Sequence, residues 1–345
     1  MTAIETARSI ALTALVAALG AGLFWLIGFP AAPLTGSAAA VSVAGLLGLH
    51  VVIPVWLRNT CFIALGINIG TGVTREALAG IATWPLSLAI MAVALLVALI
   101  ASRNLMERAF GYDRTTATLA STPGHLSFVL SIALDKGANT PVVGMIQSIR
   151  VLFMTLALPL LVERIFGATG LQVLPSEFMG VQAGAILIAG ALVLSVLFTR
   201  LNVPAAFLLG GMIFSAVGHV AGLTPGRLPD PLITAAFLMM GALIGSRFSG
   251  QDLGALCKVL AAGCAVTAIT IICAAIGVGL AFGVLGVSPA LLIVAFAPGG
   301  VEAMAAIAVQ LGLDPTFVAT HHVIRLAILS VLVPVLMARI SAGGR

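Results

Sequence analysis

Long apolar runs separated by short polar punctuation dominate the chain. Twelve stand out: about 9–28, 33–49, 52–70, 78–101, 115–135 and 141–162, then about 182–199, 204–221, 230–246, 255–284, 289–310 and 316–338. The runs are continuous rather than alternating, so they predict helices and exclude the strands of a membrane barrel. A bilayer core takes about 20 apolar residues per spanning helix, and the pattern reads as an all-α polytopic membrane protein. The fifth and eleventh runs differ from the rest. Ser-Thr-Pro-Gly at 121–124 and Ala-Pro-Gly-Gly at 297–300 interrupt their middles. Proline removes a backbone donor and glycine loosens the chain, so both helices should break there. Broken backbone at membrane depth is tolerated only inside protein or along a wet cavity.

The punctuation is written twice. At an offset of 175, Pro54 meets Pro229, Gly66 meets Gly241, Gly70 meets Gly245, and Pro123-Gly124 meets Pro298-Gly299. Arg150 then meets Arg325 and Pro159 meets Pro334; a one-residue slip pairs Pro30 and Gly36 with Pro204 and Gly210. Such agreement implies an internal duplication, with one transmembrane repeat at 1–170 and a second at 175–345. Parity decides their relative orientation. Thirteen Lys and Arg lie in loops or at helix ends. With all twelve runs crossing, these split eight against five; with the two broken runs re-entrant, they split ten against three. The second arrangement obeys the positive-inside rule better and places both termini in the cytoplasm. It gives two inverted repeats of about five crossing helices, each with one broken segment, re-entrant or discontinuous.

Composition agrees with this picture. Of 345 residues, 61% are apolar and 8% charged, with a mean hydropathy of +1.22, whereas soluble domains carry about 25% charged residues. The net charge of +5 comes from scattered basic residues, not from a patch, so no nucleic-acid partner is expected. Cys61, Cys257, Cys264 and Cys273 lie in apolar runs without a CxxC pair and read as small buried hydrophobes. Nothing in the sequence calls for a cofactor, and there is no ATP-binding loop. The first run, following Arg8, reads as a retained helix rather than a signal peptide.

The chemistry inside the runs is sparse. Of eleven acidic residues only Glu302 lies deep, two positions beyond Gly300, while Arg150 and Arg325 occupy equivalent places in runs six and twelve. A charge at bilayer depth must be paired or face a cavity. Two arginines against one carboxylate leave a positive surplus, which points to an anionic ligand. The helices resuming after Gly124 and after Gly299-Gly300 would present N-terminal amides, which also favour anions. Arginine's planar fork suits carboxylates. Arg150 and Arg325 therefore either hold an anion or pin carbonyls exposed at the breaks. Gln147 and His322, each three residues before an arginine, share its helical face; His321 lies one turn before Arg325, and His125 follows the first Pro-Gly. Glu302, whose counterpart is Ser127, either carries a coupling proton or sodium ion or permanently neutralises Arg325. Asn68, between Gly66 and Gly70, is a further candidate for the coupling ion, although glycines at this spacing chiefly permit close helix packing. Asn139-Thr140-Pro141 and Asp314-Pro315 are helix-start chemistry.

Together the segments STPGHLSFVLSIALDKGAN and FAPGGVEAMAAIAVQLGLD, followed by VVGMIQSIRVLFMTLALPLL and VATHHVIRLAILSVLVPVL, resemble the AbrB-type duplicated membrane proteins of bacteria. Labels used for that family are ammonia monooxygenase and AbrB-type regulator. The resemblance spans nearly the whole chain and implies a multi-pass protein of the bacterial inner membrane, transporter-like and without a settled substrate. The layout is also similar to inverted-repeat anion symporters, including sodium–glutamate and 2-hydroxycarboxylate carriers, an architectural likeness that carries little weight for substrate.

The expectation is a secondary carrier, not an enzyme, for a small organic anion, with a carboxylate as its natural form. Arg150, Arg325, Gly124, His125, Gly299, Gly300, Gln147 and His322 would bind it; Glu302, Asn68 and Ser127 would serve the coupling proton or sodium. By analogy with related carriers it would form a homodimer in the lipid bilayer. The alternatives are a membrane-embedded metalloenzyme of oxygenase type using His125, His321 and His322, or a passive anion channel.

Overall fold

The computed structural model describes residues 3–73, 84–124, 126–167 and 177–343, without the side chains of residues 3, 4, 127 and 341–343. Among these the chain forms fourteen α-helices. The first half contributes α1 (Ala3–Leu26), α2 (Ala32–Leu46), α3 (Val55–Thr71), α4 (Trp84–Phe110), α5 (Arg114–Ser121), α6 (Leu126–Asp135) and α7 (Thr140–Phe166). The second contributes α8 (Val181–Arg200), α9 (Ala206–Val220), α10 (Asp230–Gly245), α11 (Leu253–Leu285), α12 (Pro289–Phe296), α13 (Val301–Gln310) and α14 (Pro315–Gly343). Seven helices are long and apolar enough to cross a membrane. By contrast α2 and α9, at 15 residues each, are about 22 Å long at 1.5 Å per residue. The protein is an all-α, multi-pass membrane protein.

The two halves give the same helices in the same order, and the likeness extends to single residues. Ala31 and Ala205, immediately before α2 and α9, both adopt left-handed backbone with φ of 53° and 54°. That conformation is costly for a side chain bearing a Cβ, so its recurrence marks a constrained turn. Gly137 and Gly312, ending α6 and α13, both have φ of 66°. The helix starts recur as well. Asn139 Oδ1 accepts from the Val142 amide at 3.2 Å, and its counterpart Asp314 accepts from Thr316 and Phe317 at 2.8 and 3.2 Å. These are N-caps in front of a proline in the first turn.

The chain divides into two compact units, and each draws helices from both halves. The first unit holds α1–α3, α7 from Thr155, α8–α10, α13 and the start of α14 to Ala319. Here α3 packs on α9, and α2 packs on α10. Small residues permit both crossings: a Cβ at Gly66 would strike the Leu208 carbonyl, and one at Gly241 would strike Ser37 and the Leu34 carbonyl. Without a strong hydrophobic drive between helices in lipid, such close backbone approach supplies the packing.

The second unit holds α4–α6, α7 to Met154, α11, α12 and α14 from Thr320. Its long helices α4 and α11 are repeat equivalents that pack on each other, with α5 against α4 and α12 against α11. Both interrupted segments end a half-helix in this unit. Asp113 caps α5 by accepting from Thr116 N at 2.9 Å. The helix stops after Ser121, and α12 stops after Phe296.

Candidate functional site

The breaks form where the sequence places Pro-Gly. Thr122 (ψ 116°) and Ala297 (ψ 140°) leave the helical region. The following prolines carry no amide proton, so each chain folds into a tight turn. Gly124 N donates to Thr122 O and Gly299 N to Ala297 O, both at 2.9 Å. A helix end leaves carbonyls without intrahelical partners, and in an apolar surround those carbonyls require donors.

The donors come from α7 and α14 at matching positions. Gln147 Nε2 donates to Leu119 O at 3.3 Å, and His322 Nε2 is 3.1 Å from Val294 O, a contact in which the ring nitrogen is the donor. Arg150 Nη2 donates to Thr122 O at 3.3 Å. Arg325 Nη1 donates to Ala297 O at 2.7 Å, and its Nη2 donates to Gly299 O. The positive guanidinium also suits the negative end of each half-helix dipole. Thus the pinning role weighed for the arginines is present in the structure.

Pinning does not exhaust Arg325. The residue is only 2% exposed, and its Nε has no hydrogen-bond partner among the described residues. Within this unit no described carboxylate comes within the 4 Å of an ion pair with Arg325; Arg103 and Arg114 pair instead with Glu107. Arg150 is within coulombic reach of Arg325. Two like charges therefore share a buried region. Beside Arg325 lies a cavity of about 20 Å³, bounded by Pro123, Pro298, Phe296, Thr270 and Met91. It holds little more than one water, and it brings the two breaks to one place.

Around this centre His321 is fully buried, with Nε2 2.7 Å from Ser87 Oγ. Its ring contacts those of Trp84 and Phe296, at centroid distances of 6.4 and 6.1 Å. Ser87, Trp84 and Phe296 were not readable as site neighbours from sequence, because the Ser87–His321 pair joins residues 234 positions apart.

Of the expected site residues, Arg150, Arg325, Gly124, Gly299, Gly300, Gln147 and His322 all lie in this unit. Asn68 and Glu302 belong to the other unit. Asn68 is buried there on α3, and Glu302 is half-buried at the start of α13. Arg247, in the turn Ser246–Phe248 after α10, is within coulombic reach of Glu302 in the same unit. Arg247 escaped the reading of the sequence, although a signal existed: at the same offset its counterpart is Gly72, as Ser127 is the counterpart of Glu302. Acid and base therefore occur together in one copy and are missing together from the other. His125 lies outside the described residues, as does the side chain of Ser127.

The family model described as "Transition state regulatory protein AbrB" matches residues 33–341. The chain is 29% identical over 292 residues to "Uncharacterized protein YhjN" of Bacillus subtilis (strain 168), covering 78% of this chain and 75% of that protein. It is 29% identical over 313 residues to "Putative regulator AbrB" of Escherichia coli (strain K12), covering 88% of each. The match runs through both breaks and both arginines, and the chain belongs to the AbrB family.

Proposed function

We propose that this protein is a secondary active carrier of a small organic anion, coupled to protons or sodium, and not an enzyme. The observation that carries the reading is the buried cationic centre at the breaks: Arg325 lines a cavity shared by Pro123 and Pro298 and keeps one N–H unsatisfied. An arginine held rigidly by two carbonyls is preorganised, so an anion binding there would need little side-chain ordering. The guanidinium of Arg325 also supplies an electrostatic reason for an anion to enter an otherwise largely apolar cavity.

In this reading the unit containing both breaks moves with the substrate, and the glycine-packed unit acts as scaffold. Glu302 carries the coupling proton or sodium ion, with Arg247 setting its electrostatic surroundings and Asn68 as a further polar group of the same unit. The reading places the protein in the bacterial inner membrane, with both termini cytoplasmic by the distribution of Lys and Arg. A homodimer is proposed by analogy with inverted-repeat carriers.

The test is a thermal-shift screen of purified protein in nanodiscs against acetate, succinate, citrate, glutamate and methanesulfonate, with and without sodium at two pH values. An anion should stabilise the wild type and lose its effect in Arg325→Ala and in Arg325→Lys, which keeps the charge but not the fork. Equal stabilisation in both variants, or none in the wild type across the panel, would overturn the proposal.

A further inference from the structure

The cavity at Arg325 is too small for a whole carboxylate-bearing molecule, and its walls identify where the rest would go. Apart from Arg325 and Thr270 it is lined by apolar side chains and prolines, among them Met91, Leu95 and Phe296. Such walls have no groups to bond a second carboxylate or a hydroxylated body, and desolvating those groups there would be costly. On the outer side of the same helix pair, α4 and α11 leave a groove of about 330 Å³. Ala89, Val93, Val97, Ile276, Gly277 and Leu280 form its walls, with no charged residue among them. Val93 and Ile276 are 61% and 60% exposed on its rim.

Groove and cavity are neighbours through a thin partition. Ala94 borders both. Gly277 has no side chain at the point where a Cβ would lie 3.1 Å from Ala94 Cβ and 3.2 Å from the Phe296 ring, which lines the cavity. The small residues Ala94 and Gly277 therefore separate an apolar groove from an arginine with an unused donor. An ordinary lipid-facing seam has no buried guanidinium behind it.

We propose that the α4–α11 seam binds the apolar body of a monoanionic substrate, an alkyl or similarly apolar monocarboxylate, whose acid group is held at Arg325. This specificity rests on the anion-carrier reading above and narrows its substrate class. The groove supplies affinity in proportion to chain length, while Arg325 supplies the requirement for a single negative charge. Dicarboxylates and tricarboxylates are excluded because the groove offers their further charges no partner.

The test measures binding of acetate, butyrate, hexanoate and octanoate to the protein in nanodiscs, with succinate, citrate and hexanol as comparators and Val93→Trp and Ile276→Trp as groove-filling variants. Each added pair of methylenes should tighten binding roughly tenfold, from the transfer free energy of buried CH₂ groups. Hexanol should not compete, and either tryptophan should flatten the series toward the acetate value. Both replacements are at exposed rim positions, so retained thermal stability separates a filled groove from an unfolded chain. A flat series in the wild type, an unchanged series in both variants, or equal competition by hexanol would overturn the proposal. Binding of succinate or citrate without the monocarboxylates would refute this specificity and leave the anion reading standing. No binding by any anion would refute both.

Discussion

The two Pro-Gly breaks share a frame and differ in the chemistry attached to it. In each, a half-helix ends at a Pro-Gly turn, and an arginine 28 residues further on donates to the carbonyl preceding the proline. In each, a polar residue three positions before that arginine faces a carbonyl one turn back. Around the first break this frame holds Gln147 and Arg150, whose Nη2 donates to Thr122 O at 3.3 Å. Around the second, Arg325 makes two such bonds and lines the cavity, and fully buried His321 and His322 stand beside it. Glu302 and Arg247 also belong to the second copy, replacing Ser127 and Gly72. The two copies share what holds broken backbone in a membrane, and Glu302, Arg247, His321 and His322 have no ionisable counterpart in the first.

Truncating the arginines that pin the two breaks should give the largest effects. Hydrogen bonds from a charged donor contribute about 1.5–3 kcal/mol each, so Arg325→Ala should destabilise the protein by about 3–5 kcal/mol. Arg150→Ala should also destabilise it, as judged by thermal unfolding in one detergent, because Thr122 O loses its guanidinium donor. Unchanged stability in both variants would mean that the guanidinium bonds do not hold the breaks.

A smaller, coupled effect is expected for the pair found only in the second copy. Glu302→Gln and Arg247→Gln should each weaken the protein, and the double variant should recover part of the loss, with an interaction free energy of about 0.5–3 kcal/mol. The double variant should nevertheless lack any proton or sodium dependence of anion binding. Strict additivity would remove Arg247 as the partner of Glu302, and retained ion dependence would remove Glu302 as the coupling residue.

The smallest change is the exchange of the frame's neutral members. Gln147→His should shift stability by less than about 1 kcal/mol, since one neutral donor replaces another at a carbonyl. His322→Gln should behave alike and preserve anion binding. A large loss of binding in His322→Gln alone, read by titration with the anion that stabilises the wild type, would give the imidazole a part in binding beyond that carbonyl contact.

Much of the frame was legible because proline, glycine and intramembrane arginine are rare enough to mark their positions. The breaks at 121–124 and 297–300, the Asn139 and Asp314 caps, and the alignment of Gln147 with His322 all follow from local spacing. The spacing could not reveal which faces meet. Gly66 lies against α9 rather than against a neighbour in sequence, and His321 reaches Ser87 across most of the chain. Nor could it show that the arginines spend donors on the breaks, since both a pin and a ligand contact require the same residue at the same depth. The apolar seam between α4 and α11 was hidden for another reason. In a chain that is 61% apolar, a binding wall and a lipid-facing wall have the same composition.

Counterflow tests the carrier reading most directly. Proteoliposomes preloaded with unlabelled hexanoate would be diluted into a trace of labelled hexanoate, with the same experiment for succinate, in wild type and Arg325→Lys. The account predicts a transient accumulation of labelled hexanoate above equilibrium in the wild type and none in the variant, because exchange through one alternating site requires the arginine fork. Simple equilibration without overshoot for either anion, or an overshoot of the same height in Arg325→Lys, would contradict it.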